Sequence, residues 1–115
     1  MIDLKFGLTV TQLTEEAYRN ACSKDWHEKP REIPEVVALI HEEASETLRE
    51  YREGRKPTEV YHEGDKPCGI PSELADIVIR VFDAAGEFDI DLEAAIIEKM
   101  RFNRTRPSRH GGKVC

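Results

Sequence analysis

Two short acidic patterns carry the chemistry this sequence can do: Glu43-Ala-Ser-Glu46 and Glu73-Leu-Ala-Asp76. Carboxylates three residues apart share one face of a helix, so each pair presents two oxygen ligands in the same direction. Glu43, Glu46, Glu50 and Glu53 recur at spacings of three, four and three, which makes a single acidic row. On a helical wheel Glu43 falls between Leu39 and Val36, beside the apolar stripe and away from its solvent side. The second pair has a more unusual setting. Leu74, Ala75, Ile77, Val78, Ile79, Val81, Phe82, Ala84 and Ala85 cover most of that segment's circumference and leave Glu73, Asp76, Arg80 and Asp83 an arc of about 80°. A helix of this kind is expected in the interior. Unpaired buried charge is costly, so its polar seam must look out through a gap or face something that wants oxygen ligands.

If the two segments pack antiparallel, as neighbours in a bundle do, four carboxylates converge. Each like-charged pair at about 4 Å costs roughly 1 kcal/mol in water and about 4 kcal/mol at a protein-surface dielectric. That is large against the stability of a small domain, and a divalent cation removes it. The donors are all hard oxygens with no histidine at i+3, which suits Mg²⁺, or Mn²⁺, better than iron or zinc. Glu43, Glu46, Glu73 and Asp76 are therefore the expected metal ligands, and His41 lies off the seam. Arg80, one turn after Asp76, is expected to orient that carboxylate. Either acidic pair alone is common on a solvated helix. The two together, one on a nearly wholly apolar helix, favour a site.

The elements that must hold these residues read as an all-α domain within 115 residues, the usual size of one folding unit. A first helix is expected over 11–24, opened by Thr9 with Gln12 three residues later. A second begins at Pro34, buries the stripe Val36, Val37, Ile40, Ala44, Leu48 and Tyr51, and stops at Gly54. Ser72 is expected to cap a third, ended by Gly86, and Asp91 a fourth that runs to about Asn103 before Arg106-Pro107. Residues 55–71 contain Pro57, Gly64, Pro67, Gly69 and Pro71, and are long for a connection in a small domain. Two readings stand open for them, a functional cover and a disordered segment.

No run of eighteen apolar residues occurs, which excludes a membrane-spanning helix. The start of the chain lacks the pattern of a secretory signal, so a cytoplasmic protein is expected. Cys22, Cys68 and Cys115 are spaced like neither a zinc site nor a redox pair and are read as buried or incidental thiols. The net charge is -6, but from Lys99 onward there are six basic residues and no acid, so that end carries +6 and the remainder -12. A basic tail suits phosphate groups, nucleic acid or an acidic partner; a merely solvated tail is the plainer alternative. One helix apolar nearly all round also predicts a homodimer or homotetramer, because a lone monomer has too little core to hide it.

In order and spacing these features resemble the MazG-like, all-α nucleoside triphosphate pyrophosphohydrolases, whose signature is Glu-x-x-Glu followed after a variable spacer by Glu-x-x-Asp. The likeness extends over 26–113. It includes Gly69-Ile-Pro71 ahead of the second motif, and Lys99, Asn103, Arg106-Pro107 and His110-Gly-Gly-Lys113 after it. The resemblance implies a small helical bundle, usually oligomeric, and Mg²⁺-dependent hydrolysis of a nucleoside triphosphate to the monophosphate and pyrophosphate. It implies a position near the nucleotide for Trp26, where stacking on a base and packing in a core or interface are both open. Lys99 and Asn103, four apart on one helical face, with Arg106 and Lys113, would meet phosphate or the leaving pyrophosphate. The general base would be one of the four acids or their seam neighbour Glu50, a choice that spacing leaves open. Two other readings use the same residues. One is a non-catalytic helical module that grips nucleic acid or an acidic partner with its basic tail; the other is phosphoribosyl-ATP pyrophosphohydrolase chemistry at the same metal seam.

Overall fold

The structure, a computed structural model, describes residues 3–107. It contains four helices, α1 (Val10–Ser23), α2 (Ile33–Arg52), α3 (Ile70–Glu87) and α4 (Leu92–Arg104), with a hairpin of β1 (Tyr61–Glu63) and β2 (Lys66–Cys68) between α2 and α3. The expected helices are all present, and the hairpin is a small addition to an otherwise helical fold.

Local sequence explains where most of them start. Thr9 and Gln12 form a capping box: the Gln12 N–H donates to Thr9 Oγ1 at 3.1 Å and the Thr9 N–H donates to Gln12 Oε1 at 2.9 Å. Asp91 accepts from the Ala94 N–H at 3.1 Å and so opens α4. Such caps are each worth about 1 kcal/mol. For α3 the expected boundaries are corrected at both ends. Ser72 is inside the helix, and Gly69 is its N-cap, with φ +113° and Pro71 in the first turn. Only glycine fits there, because a Cβ would run into the Glu59 carbonyl. Gly86 does not end the helix but lies within it, since its bare Cα is where the Tyr18 side chain of α1 packs.

α3 lies between α1 and α2 and runs antiparallel to both. Tyr18 meets Gly86, while Asn20, further along α1, lines a cleft with Ile79 and Asp76, earlier on α3. Across the other interface Glu43 reaches Arg80, whereas Glu46 and Glu50, further along α2, act on Glu73. Small side chains permit the close approach: the buried apolar residues are Ala21, Val36, Cys68, Ile70, Ala84 and Ala85. α3 is central, but it is not interior all round. Leu74, Val78 and Ile79 stand half exposed, and so do Val37, Leu48 and Tyr51 from the stripe that α2 was expected to bury. Among the described residues, no helix is long and apolar enough to cross a membrane. The segment 55–71 is ordered into the hairpin, paired Tyr61 with Cys68 and Glu63 with Lys66 around Gly64, whose φ is +63°.

Gly86→Ala tests the packing of α1 on α3. The new Cβ would stand 2.5 Å from Tyr18 Cβ, so the usual gain of alanine over glycine in a helix, about 1 kcal/mol, is expected to be overridden by about 1–3 kcal/mol of overpacking. Chemical denaturation should show a net loss of stability; a gain would mean the interface yields freely.

Candidate functional site

Three of the four expected ligands converge. Oxygens of Glu43 on α2 and of Glu73 and Asp76 on α3 all lie within 4.8 Å of one another. The helical period makes this possible, since Glu73 and Asp76 share a face of α3 and Glu43 comes from the edge of the α2 stripe that packs on it. Glu46, one turn beyond Glu43, is not brought into the group; it lies 3.5 Å from Arg49 on its own helix while still adding its charge to the field at Glu73. Arg80 does not bond Asp76, as the seam suggested. Its Nε and Nη2 donate to Glu43 Oε1 at 3.3 and 3.2 Å, across the interface.

The electrostatics are those of crowded acids. Burial, followed by the charges of Asp76, Glu43, Glu46 and Glu50, pushes the Glu73 carboxyl above its ordinary range. Burial and Glu43 push Asp76 up, with Arg80 and Lys66 opposing. Lys66 has no counterpart in the sequence reading, because only the hairpin brings it toward α3. Glu50 is buried elsewhere. The Tyr61 hydroxyl donates to its two oxygens at 2.9 and 3.1 Å, so this carboxylate ties the hairpin to α2. That bond, then burial, pushes the Tyr61 phenol to about 12. The Arg55 guanidinium lies over the same ring, 3.8 Å from its centre.

Beside the cluster opens a cleft of about 310 Å³, lined by Ala17, Asn20 and Trp26 from the α1 side and by Glu43, Asp76, Ile79, Arg80 and Asp83. Its size is at the lower end for small-molecule sites. Trp26 is 56% exposed at its wall, so it does not serve as core within this chain. A slightly larger cleft of about 350 Å³ lies at the Thr11 end of α1, but the carboxylate cluster is not there. Lys99, Asn103 and Arg106 are exposed, and the structure does not bring them to the cluster. Their helix docks where the Thr11 N–H donates to Glu93 at 3.2 Å, at the end of α1 opposite Asn20. Lys113, with the rest of His110-Gly-Gly-Lys113, and Cys115 lie outside the described residues.

A further group, from the α1–α2 connection, escaped the sequence reading. His27 and Arg31 bind Asp83 and Glu87 of α3, with His27 Nε2 2.6 Å from Asp83 and Arg31 Nη2 2.8 Å from Glu87. The one available signal was Glu87, a turn beyond Asp83 on the seam.

Compared with models of known families, with curated proteins and with solved structures, the chain matches none.

The donor set fits a hard divalent cation: carboxylate oxygens only, drawn from two helices, with Glu73 and Asp76 pushed above their ordinary range by burial and by neighbouring acids. A carboxyl whose folded pKa is raised binds its proton more tightly in the folded state than in the unfolded one. The stabilisation is therefore full below the ordinary carboxylate range, about 4, and is lost as the pH rises through the raised values of Glu73 and Asp76. Without metal, Tm should accordingly fall across that window more steeply in wild type than in Glu73→Gln. Above it, Mg²⁺ should raise Tm of wild type more than that of the variant, as expected for an ion bound only by the folded state. Equal responses of the two proteins would remove the cation site.

Proposed function

We propose that this protein is a Mg²⁺-dependent hydrolase of nucleoside triphosphates, releasing the monophosphate and pyrophosphate. The observation that carries the reading is the meeting of Glu43, Glu73 and Asp76 at the edge of a cleft with an aromatic wall. Similarity to known proteins adds nothing to it; the support is the order of the motifs and the chemistry of the side chains. Glu43, Glu73 and Asp76 would hold the ion, with Glu46, whose charge reaches Glu73, as the further candidate. When bound, Mg²⁺ supplies charge neutralisation for triphosphate oxygens and lowers the pKa of a nearby water.

The chain's own groups divide the remaining tasks. Trp26 offers a face on which a base can stack. Arg80 steadies Glu43 at the cleft wall. Lys66, on the hairpin beside Asp76, offers a cation for phosphate oxygens. Glu50 is engaged by Tyr61, so the proton from the attacking water falls more naturally to a carboxylate of the cluster.

The same reading includes a homo-oligomer, a homodimer or homotetramer. Val37, Leu48 and Tyr51 form an open stripe along α2, and Leu74 and Val78 lie one turn apart on α3. A second copy is also the simplest source of the basic groups of α4, which one chain keeps away from its own cluster.

A panel of ordinary and damaged nucleotides with Mg²⁺, scored for pyrophosphate release, tests the activity. Glu43→Gln is expected to lower kcat/KM at least about a hundredfold, or about 2.7 kcal/mol of transition-state stabilisation. If no nucleotide is turned over faster by wild type than by the variant, the hydrolase reading fails. Sedimentation tests the assembly: wild type should run as a dimer or tetramer and Leu48→Glu as a smaller species, while a wild-type monomer would refute it.

A further inference from the structure

The α1–α2 connection, residues 24–32, is joined to the body of the protein through an alternating square of basic and acidic side chains. Asp83 Oδ1 faces His27 Nε2 at 2.6 Å, and Asp83 Oδ2 accepts from Arg31 Nη2 at 2.9 Å. Glu87 Oε1 accepts from Arg31 Nε and Nη2 at 3.0 and 2.8 Å. Glu87 Oε2 accepts from the Arg31 backbone N–H at 3.1 Å and faces His27 Nδ1 at 3.2 Å. All four side chains are nearly buried, with exposures of 5–10%. Burial alone would raise the Glu87 carboxyl, yet the hydrogen bonds and charge of Arg31 hold it below its ordinary range.

Three features separate this arrangement from ordinary loop packing. Among the described residues, every hydrogen bond that 24–32 makes to α3 ends on Asp83 or Glu87, so two carboxylates one helical turn apart fix the whole connection. Trp26, 56% exposed, is held between two anchors: its own N–H donates to the Ala21 carbonyl at 3.1 Å, and the next side chain is His27. Asp83 is at once a corner of the square and part of the wall of the cleft beside the acidic cluster. Apolar burial could hold a loop down as firmly, but hydrogen bonds with fixed directions hold it in one register.

We propose that the square is a positioning device for Trp26. His27 and Arg31, latched on Asp83 and Glu87, set the indole at the mouth of the cleft, where an aromatic nucleobase stacks while its phosphates face the carboxylates. They are positioning residues and touch neither base nor phosphate. The stacking role rests on the hydrolase reading; the latch itself does not.

Trp26 is the single tryptophan, so intrinsic fluorescence reports the latch without any substrate. In Arg31→Gln, with helix content checked by circular dichroism, emission should move to the red and acrylamide quenching should at least double, while the Mg²⁺-induced rise in Tm stays as in wild type. For the nucleotide that wild type hydrolyses best, KM should rise about tenfold with kcat changed less than twofold. Trp26→Ala should give the same KM, and the double variant should add nothing to either. Arg31→Lys should restore part of the quenching protection. Should Arg31→Gln fail to fold, Glu87→Gln, which keeps the shape of the acceptor, takes its place with the same expected readings. A folded variant with unaltered Trp26 emission and quenching overturns the latch. Additive KM effects in the double variant overturn its link to stacking. Absence of hydrolysis by wild type would defeat the functional reading alone, leaving the fluorescence result to decide the latch.

Discussion

Like charge drawn together against its own repulsion is the constraint around which this small protein is organised. Glu43, Glu73 and Asp76 are held within 4.8 Å by two antiparallel helices, and Arg80 is the guanidinium hydrogen-bonded into the group. Although Asp76 is exposed, the backbones that carry these acids are fixed by packing on both sides of α3. On one side Gly86, Ala84 and Ala85 let α1 come close; on the other, Glu43 itself spans to Arg80. Burial first, and then the neighbouring acids, raise the affinity of Glu73 and Asp76 for protons.

The polar seam of α3 is divided along its length. Its first turns give Glu73 and Asp76 to the cluster, Arg80 crosses to α2, and Asp83 with Glu87 binds the connection that carries Trp26. One helix thereby places an acidic cluster, a cleft wall and an aromatic edge in a fixed relation, since all of them are referred to the same axis. The mutual pairing of His27 and Arg31 with Asp83 and Glu87 explains how so many polar groups are tolerated where solvent is nearly absent.

Much of this was legible in the sequence, for physical reasons. Capping residues and the 3.6-residue period act locally, so Thr9 with Gln12, Asp91, and the two acidic motifs disclosed helices and their faces without any knowledge of neighbours. What escaped is what neighbours decide. Gly86 reads as a stop until Tyr18 is known to need the space, and Ser72 reads as a cap until the backbone of Gly69 is seen to turn first. Arg80 lies beside Asp76 on its own helix, yet its long side chain is drawn to Glu43 on another. The His27 and Arg31 contacts span more than fifty residues of chain, a separation no periodicity encodes. The stripe of α2 was correctly seen as apolar, but hydrophobicity does not say whether the surface that covers it belongs to the same chain.

The junction at Gly69 makes the spacing on its two sides unequal in importance. Upstream, Pro57 and Thr58 are exposed in the turn before Glu59, and a residue added there would lengthen a loop without turning any helix. Downstream, β2 passes straight into α3 with no linker, pinned where Gly69 fits under the Glu59 carbonyl. An extra residue placed between Gly69 and Glu73 would swing the acidic face about 100° around the helix axis. Natural variation in such a chain should therefore collect before the hairpin and be nearly silent just after it.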